Sequence, residues 1–87
     1  MIGYPQRQGE LVQAASAEGW TVYESESDSL HVLNDSARAI WELCDGSTSP
    51  SEMARAISEL TGVDLSETSR DVEKTLERLR RLSLVSE

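Results

Sequence analysis

The stretch LHVLNDSARAIWELCDG, residues 30–46, changes its period once and thereby decides the fold. Its beginning, with His31 between apolar neighbours, has the alternation of a β-strand. Asn34 or Asp35 can then cap the first free amide groups of a helix. Apolar side chains follow at helical spacing, at Ala37, Ile40, Trp41 and Cys44. A strand followed directly by an amphipathic helix is predicted, with Gly46 as the end of that helix.

A second helix is indicated by SPSE at residues 49–52. Ser49 can accept a hydrogen bond from the Glu52 amide, and the glutamate can reach back, which together form a capping box. Pro50 suits the first helical position. The predicted inner face contains Met53, Ile57 and Leu60. Gly62 is predicted to end this helix.

The third helix is predicted to be the longest element, and it can start at Asp64 or Ser66. Its apolar stripe is predicted at Leu65, Val72, Leu76, Leu79 and Leu82. Leu84 and Val85 are expected to fold back onto the core as a short tail.

Three short strands are predicted upstream of the helices. The first contains the apolar pair Leu11 and Val12, although residues 13–17 suit a helix about as well. Gly19 separates it from the second strand, at residues 20–23, which is rich in β-formers. The third strand, residues 30–33, follows a polar turn.

The chain as a whole is predicted to hold one α+β domain, residues 10–87, behind a flexible lead-in of residues 1–9. A three-stranded antiparallel sheet precedes three helices. No apolar run approaches the ~20 residues that cross a bilayer, so no membrane partner is expected. The amino terminus lacks the features of a secretory signal, and the single cysteine cannot form an internal disulfide. A cytoplasmic protein is therefore expected.

The charge balance argues against nucleic acid as a partner. Eight Lys and Arg stand against sixteen Asp and Glu, which gives a net charge of −8 that would repel phosphates. Residues 1–64 hold three of the bases and eleven of the acids, and residues 65–87 hold five of each. The surplus acid therefore lies upstream of Leu65, and the third helix carries most of the cations.

The sequence offers little for catalysis. His31 is the only histidine and Cys44 the only cysteine, and there is no glycine-rich phosphate loop or nucleophile elbow. Cys44 shares its helical stripe with Trp41, and both are expected in the core. His31 can face a ligand or simply solvent, and it has no second metal-binding partner. Trp20, on a strand, could stack on a ligand or pack. No enzyme and no cofactor are predicted.

Residues 30–46 resemble the segment of PqqD-family proteins written loosely as hvLN-x-[ST]-A-x-x-IWELCDG. Downstream, Asp71 and Val72 resemble the family's DV in its third helix, and LV at residues 84–85 its closing GLV, with Ser83 in place of the glycine. That replacement concerns only the shape of the last turn. The likeness covers about residues 19–86, and it implies a winged helix-turn-helix-like module.

The resemblance also implies a function. In the family, the leader of a ribosomally made precursor peptide adds to the exposed edge of the third strand and lies against the third helix. For this chain, that implies a free-standing, non-catalytic recognition protein, a monomer or weak dimer, which presents the leader to a maturation enzyme. Lasso-peptide biosynthesis with a leader protease is favoured over a radical SAM enzyme. The implied leader-binding residues are Leu30, His31, Val32, Leu33, Asp71, Lys74, Thr75 and Arg78.

Two other functions share this architecture. A winged-helix DNA-binding regulator would need a cationic recognition helix, and the second helix carries only Arg55 against Glu52 and Glu59. A dimerisation module would pair the free strand edge with a second copy of itself.

Overall fold

The computed structural model describes residues 4–16 and 19–86. It confirms the predicted α+β architecture, with the sheet first and the helices after it. The central sheet is antiparallel in the order β2-β3-β4, and the short β1 pairs with β5 in a second, two-stranded sheet. The elements are β1 (Gln6–Arg7), β2 (Glu10–Ser16), β3 (Gly19–Glu24), β4 (Ser29–Leu33), α1 (Asp35–Leu43), α2 (Pro50–Thr61), α3 (Leu65–Arg81) and β5 (Val85–Ser86).

The two flanking strands of the sheet differ in regularity. β4 pairs with β3 without interruption, from Trp20 opposite Leu33 to Glu24 opposite Ser29. β2 pairs with β3 through two register shifts, one after Leu11 and one after Gln13. The backbone of residues 13–16 is extended, which resolves the choice between strand and helix in favour of the strand.

The lead-in, which the sequence predicts to be flexible, makes backbone contacts with the domain. Residues 4–9 are tied to the domain, because the Arg7 amide donates to the Cys44 carbonyl at 2.6 Å and the Gln8 amide to the Leu84 carbonyl at 2.8 Å. Pro5 is buried and accepts from the Gly46 amide. A proline and a glycine suggested flexibility, but the backbone groups of this segment have partners far along the chain. Residues 1–3 lie outside the described residues.

The predicted helix caps are present. The Asn34 side chain accepts from the Ala37 amide at 2.8 Å and starts α1. The capping box of α2 forms in both directions between Ser49 and Glu52, and such caps contribute about 1 kcal/mol each. Gly62 ends α2 in the left-handed conformation that glycine adopts without strain. α1 ends at Leu43, three residues before Gly46, where its end was predicted.

The last turn keeps its expected shape without the glycine. Ser83 has φ of +60°, and the Leu84 amide donates to the Leu79 carbonyl at 2.8 Å. This is the Schellman arrangement, and the two leucines it brings together are both fully buried. A serine in that conformation costs about 1–2 kcal/mol relative to glycine, which this leucine contact offsets in part.

The core lies between the inner face of the sheet and the helices. The sheet contributes Val22 and Leu33 to this core, and α1 contributes Trp41. The Trp41 Nε1 donates to the Leu84 and Gln8 carbonyls at 3.1 and 3.2 Å. Cys44 is fully buried, as predicted. The remaining buried apolar residues are Ala37, Ile40, Met53, Ala54, Val72, Leu76, Leu79, Leu84 and Val85.

Two residues assigned to inner faces are exposed instead. Leu60 is 87% exposed and Leu65 is 45% exposed, so these two predictions are wrong. Both lie at helix ends, the last turn of α2 and the first turn of α3, which extend past the core. Periodicity identifies the side of a helix, but it does not show how far the neighbouring elements reach along it. Thr68, one turn further along α3, is buried in place of Leu65. None of the described helices is long and apolar enough to cross a membrane.

Candidate leader-binding groove

A groove of about 570 Å³ opens between the start of α1, the end of α2 and one side of α3. Its floor is apolar and includes Ile40, Ile57 and Val72. Charged side chains stand at its rim, with Asp35 on α1 and Lys74 among those on α3. The groove is open to solvent along its length, so it suits a chain that lies along the surface rather than an enclosed small molecule.

The four residues predicted on the third helix all line this groove. Lys74 and Thr75 follow Asp71 by three and four positions, and Arg78 follows them by four and three, which brings the four side chains to one side of α3. Lys74 and Arg78 are exposed, and neither forms an ion pair with any residue that the structure describes. Arg81, by contrast, lies 3.8 Å from Glu77. The groove therefore has two cations that are available to an acidic ligand.

The four residues predicted on the third strand lie apart from the groove lining. Leu33 is fully buried, so it can offer a ligand only its backbone. His31 is half-buried on the inner face, opposite Val22. Leu30 and Val32 are 66% and 44% exposed and project from the opposite, outer face. What the strand presents towards a peptide is its backbone edge.

That edge is open. β4 is the last strand in the sheet, and within residues 4–16 and 19–86 no other strand pairs with its outer side. The strand passes through Asn34 directly into Asp35, and both of these residues line the groove. A chain that extended the sheet along β4 would therefore continue into the groove beside α3.

A polar cluster fixes the corner where β4 meets α1. The Trp20 Nε1 donates to Asp35 Oδ1 at 2.9 Å. The Arg38 guanidinium stacks over the Trp20 ring, 4.2 Å from its centre, and approaches Glu42 at 3.5 Å. Trp20 thus packs rather than standing free, and it holds the Asp35 carboxylate at the groove rim.

The groove also contains residues at α1 and α2 that were not predicted as binding residues from the sequence. They are Asn34, Asp35, Ser36, Ala37, Ala39, Ile40, Ile57, Leu60, Thr61 and Val63. One signal was present: Leu60 and Val63 are apolar residues on either side of the helix-ending Gly62, where a solvated loop would favour polar side chains. Their apolar character suits the groove.

The groups that could support chemistry have structural roles. Cys44 is buried, and its Sγ lies 3.2 Å from the Ile40 carbonyl. No group of three or more potential metal ligands occurs among the described residues. Hydrogen bonds from the Ser27 hydroxyl and amide lower the pKa of the Glu24 carboxyl below its usual value and hold the turn between β3 and β4. The Ser66 hydroxyl similarly lowers the pKa of Asp64 at the start of α3.

Comparison with known proteins adds two findings. The sequence profile of a family described as coenzyme PQQ synthesis protein D, PqqD, matches residues 19–85. A solved structure described as lasso peptide synthetase B1 complexed with the leader peptide superposes with a TM-score of 0.76 at 19% identity, covering 95% of this chain and 98% of that one. At that identity the likeness concerns the fold. No curated protein matches the sequence.

Proposed function

This chain belongs to the PqqD family, and we propose that it binds the leader of a ribosomally made precursor peptide and presents it to a maturation enzyme. One observation carries the proposal. The open, regular edge of β4 leads directly into a groove whose α3 wall carries unpaired cations. The related fold is that of a chain described as complexed with a leader peptide, which supports the same function.

Strand addition at β4 accounts for most of the proposed affinity. The unpaired amides and carbonyls of an edge strand can bond any extended chain, and each such bond contributes about 0.5–1.5 kcal/mol. These contacts involve only the backbone of Leu30, His31, Val32 and Leu33. They therefore hold a leader in an extended form without discriminating between leader sequences.

The groove accounts for selection. Its floor, with Ile40, Ile57 and Val72, accepts apolar side chains of the leader, and Leu60 and Val63 extend this apolar surface at one end. Lys74 and Arg78 favour acidic side chains, and Thr75 offers a hydroxyl between them. The preferred leader is thus extended, with apolar residues for the floor and an acidic residue facing α3.

The proposed contribution to maturation is tethering. A bound leader holds the rest of the precursor near the enzyme at an effective concentration on the order of millimolar, so a weak contact between enzyme and core peptide becomes sufficient. The chain itself performs no chemistry in this scheme. The partner is a leader protease in a lasso-peptide pathway, or alternatively a radical SAM enzyme, and the proposed compartment is the cytoplasm, where precursors are synthesised.

Fluorescence anisotropy with the labelled leader of the chain's own pathway tests this proposal. We expect saturable binding, clearly weaker binding of a scrambled leader of equal composition, and unchanged leader mass after prolonged incubation. Equal binding of both peptides would contradict selection by the groove. Cleavage or modification of the leader by highly purified protein would contradict the non-catalytic function.

A further inference from the structure

The sheet has a second exposed surface, on the side away from the helices. We name it the outer sheet face and define it by Thr21 and Tyr23 of β3 and Leu30 and Val32 of β4. Tyr23 pairs with Leu30 and Thr21 with Val32, so the four side chains project together on one side. Leu30 is among the most exposed large apolar residues of the described chain.

The opposite side of the same two strands is packed. Val22 and Leu33 are fully buried in the core with the helices. Because successive side chains of a strand point to opposite faces, the helices cover only the Val22 side. No helix among the described residues packs against the outer sheet face, and the leader proposed above takes the edge of β4 rather than this face.

The charge around this face has one sign. Residues 10–33 contain no Lys or Arg, and Glu10, Glu26 and Asp28 among their acids are exposed. Glu10 lies opposite Tyr23 in the register, and the Tyr23 hydroxyl donates to Asp28 at 2.7 Å. An apolar centre with an acidic rim complements a partner surface with an apolar centre and a rim of Lys and Arg.

The size and charge of the face disfavour a second copy of this chain as its occupant. Two strands about 4.8 Å apart, with about five residues each, present roughly 160 Å², whereas a stable interface needs about 800 Å² per partner. Two copies of a chain with net charge −8 would also bring like charges together. A larger, cationic partner can contact the rim as well, and a leader strand added to β4 would widen the same sheet.

We infer that the outer sheet face docks the maturation enzyme, through an apolar patch on the enzyme that is surrounded by Lys and Arg. The inference rests on the proposed leader-binding function, since a leader added at β4 becomes part of the sheet that the enzyme contacts. The enzyme then binds the chain with a bound leader more tightly than the chain without one. The part of the precursor that follows the leader extends from the sheet edge beside the enzyme.

The test separates the two surfaces with two variants and a matched control. Thr21→Lys places a cation on the outer sheet face from the central strand, away from the edge, and Tyr23→Ser removes the aromatic side chain that the same strand contributes to this face. Leu60→Ser, which alters the groove, is the control. The leader protease and the radical SAM enzyme of the pathway are purified and titrated separately, by biolayer interferometry at low and high salt, with and without leader. Anisotropy reports leader affinity, and sedimentation velocity reports the oligomeric state.

We expect Thr21→Lys and Tyr23→Ser to weaken binding of one of the enzymes about tenfold or more while leader affinity stays within about twofold of the parent, as for central interface residues. Leu60→Ser should weaken leader binding and leave the affinity for the enzyme close to that of the parent. Parent-like enzyme affinity in both variants, or binding of neither enzyme to the parent, would overturn the inference. So would a parent dimer that Thr21→Lys dissociates, because a second copy would then cover the face. Failure of the leader alone to bind counts against the proposed function, because enzyme docking is also measured without leader.

Discussion

β4 and α3 border the same proposed binding path, and both divide their residues between the core and the surface. In β4, Leu33 is fully buried, whereas Leu30 is largely exposed. In α3, Val72, Leu76 and Leu79 are at most 1% exposed, while one turn away the cations at positions 74 and 78 face solvent. The difference lies in what remains for a ligand: the strand presents backbone groups, and the helix presents side chains.

This difference predicts separate contributions to recognition. Backbone bonds at β4 do not depend on the leader's sequence, so they supply affinity that any extended chain can use. Charges and apolar side chains at the groove discriminate between leaders. The second edge of the sheet has little to offer a ligand, because the two register shifts of β2 interrupt a regular ladder. Three sets of substitutions test this division.

The largest effect is expected in the core half of α3. Leu76→Ala removes a fully buried side chain and should lower the free energy of unfolding by about 2–5 kcal/mol. Thr75→Ala, the adjacent residue on the groove side, should change it by less than about 0.5 kcal/mol. Urea denaturation followed by circular dichroism measures both. Equal effects would mean that α3 is not divided into a core side and a groove side.

An intermediate effect is expected at the edge of β4. Alternate residues of an edge strand direct their amides inward to the sheet and outward to the open side, so one of His31→Pro and Val32→Pro removes an outward donor. The variant that keeps the parent's melting temperature should lose leader affinity roughly tenfold, because a backbone bond is lost and φ is fixed.

A matched proline tests the other edge. Val12 lies at the register shift of β2 between Leu11 and Gln13. Val12→Pro should therefore leave leader binding close to that of the parent. Anisotropy with labelled leader measures all three variants, after thermal melting confirms that they are folded. A leader that binds both folded β4 variants like the parent, or that loses affinity with Val12→Pro instead, must dock away from β4.

The smallest effect is expected at the groove rim. Arg78→Glu should reduce affinity for an acidic leader about threefold to tenfold at low salt and by less at high salt, because salt screens exposed charges. Arg70→Glu makes the same charge change on an exposed part of α3 outside the groove and should have little effect. If the two variants weakened binding equally, the overall charge of the chain, rather than the groove, would determine the preference.

Local patterns in the sequence determined the elements, the caps and the family. The capping box at Ser49, the left-handed Gly62 and the core stripe through Trp41 each depend on residues within a turn or two of one another, so they can be predicted without a fold. The positions of Lys74 and Arg78 on one side of α3 follow from helical spacing alone, in the same way.

Only the tertiary structure decided where these elements leave surfaces open. Residues 4–9 are held by carbonyls near Cys44 and Leu84, which no local pattern could indicate. The spacing of Leu60 predicts a core residue. It is exposed because the end of α2 extends past its neighbours, and it lines the groove. The groove joins three helices, and the outer sheet face exists because all of them pack on the other side. Exposure depends on which distant elements meet, and the spacing of residues along the chain does not contain that information.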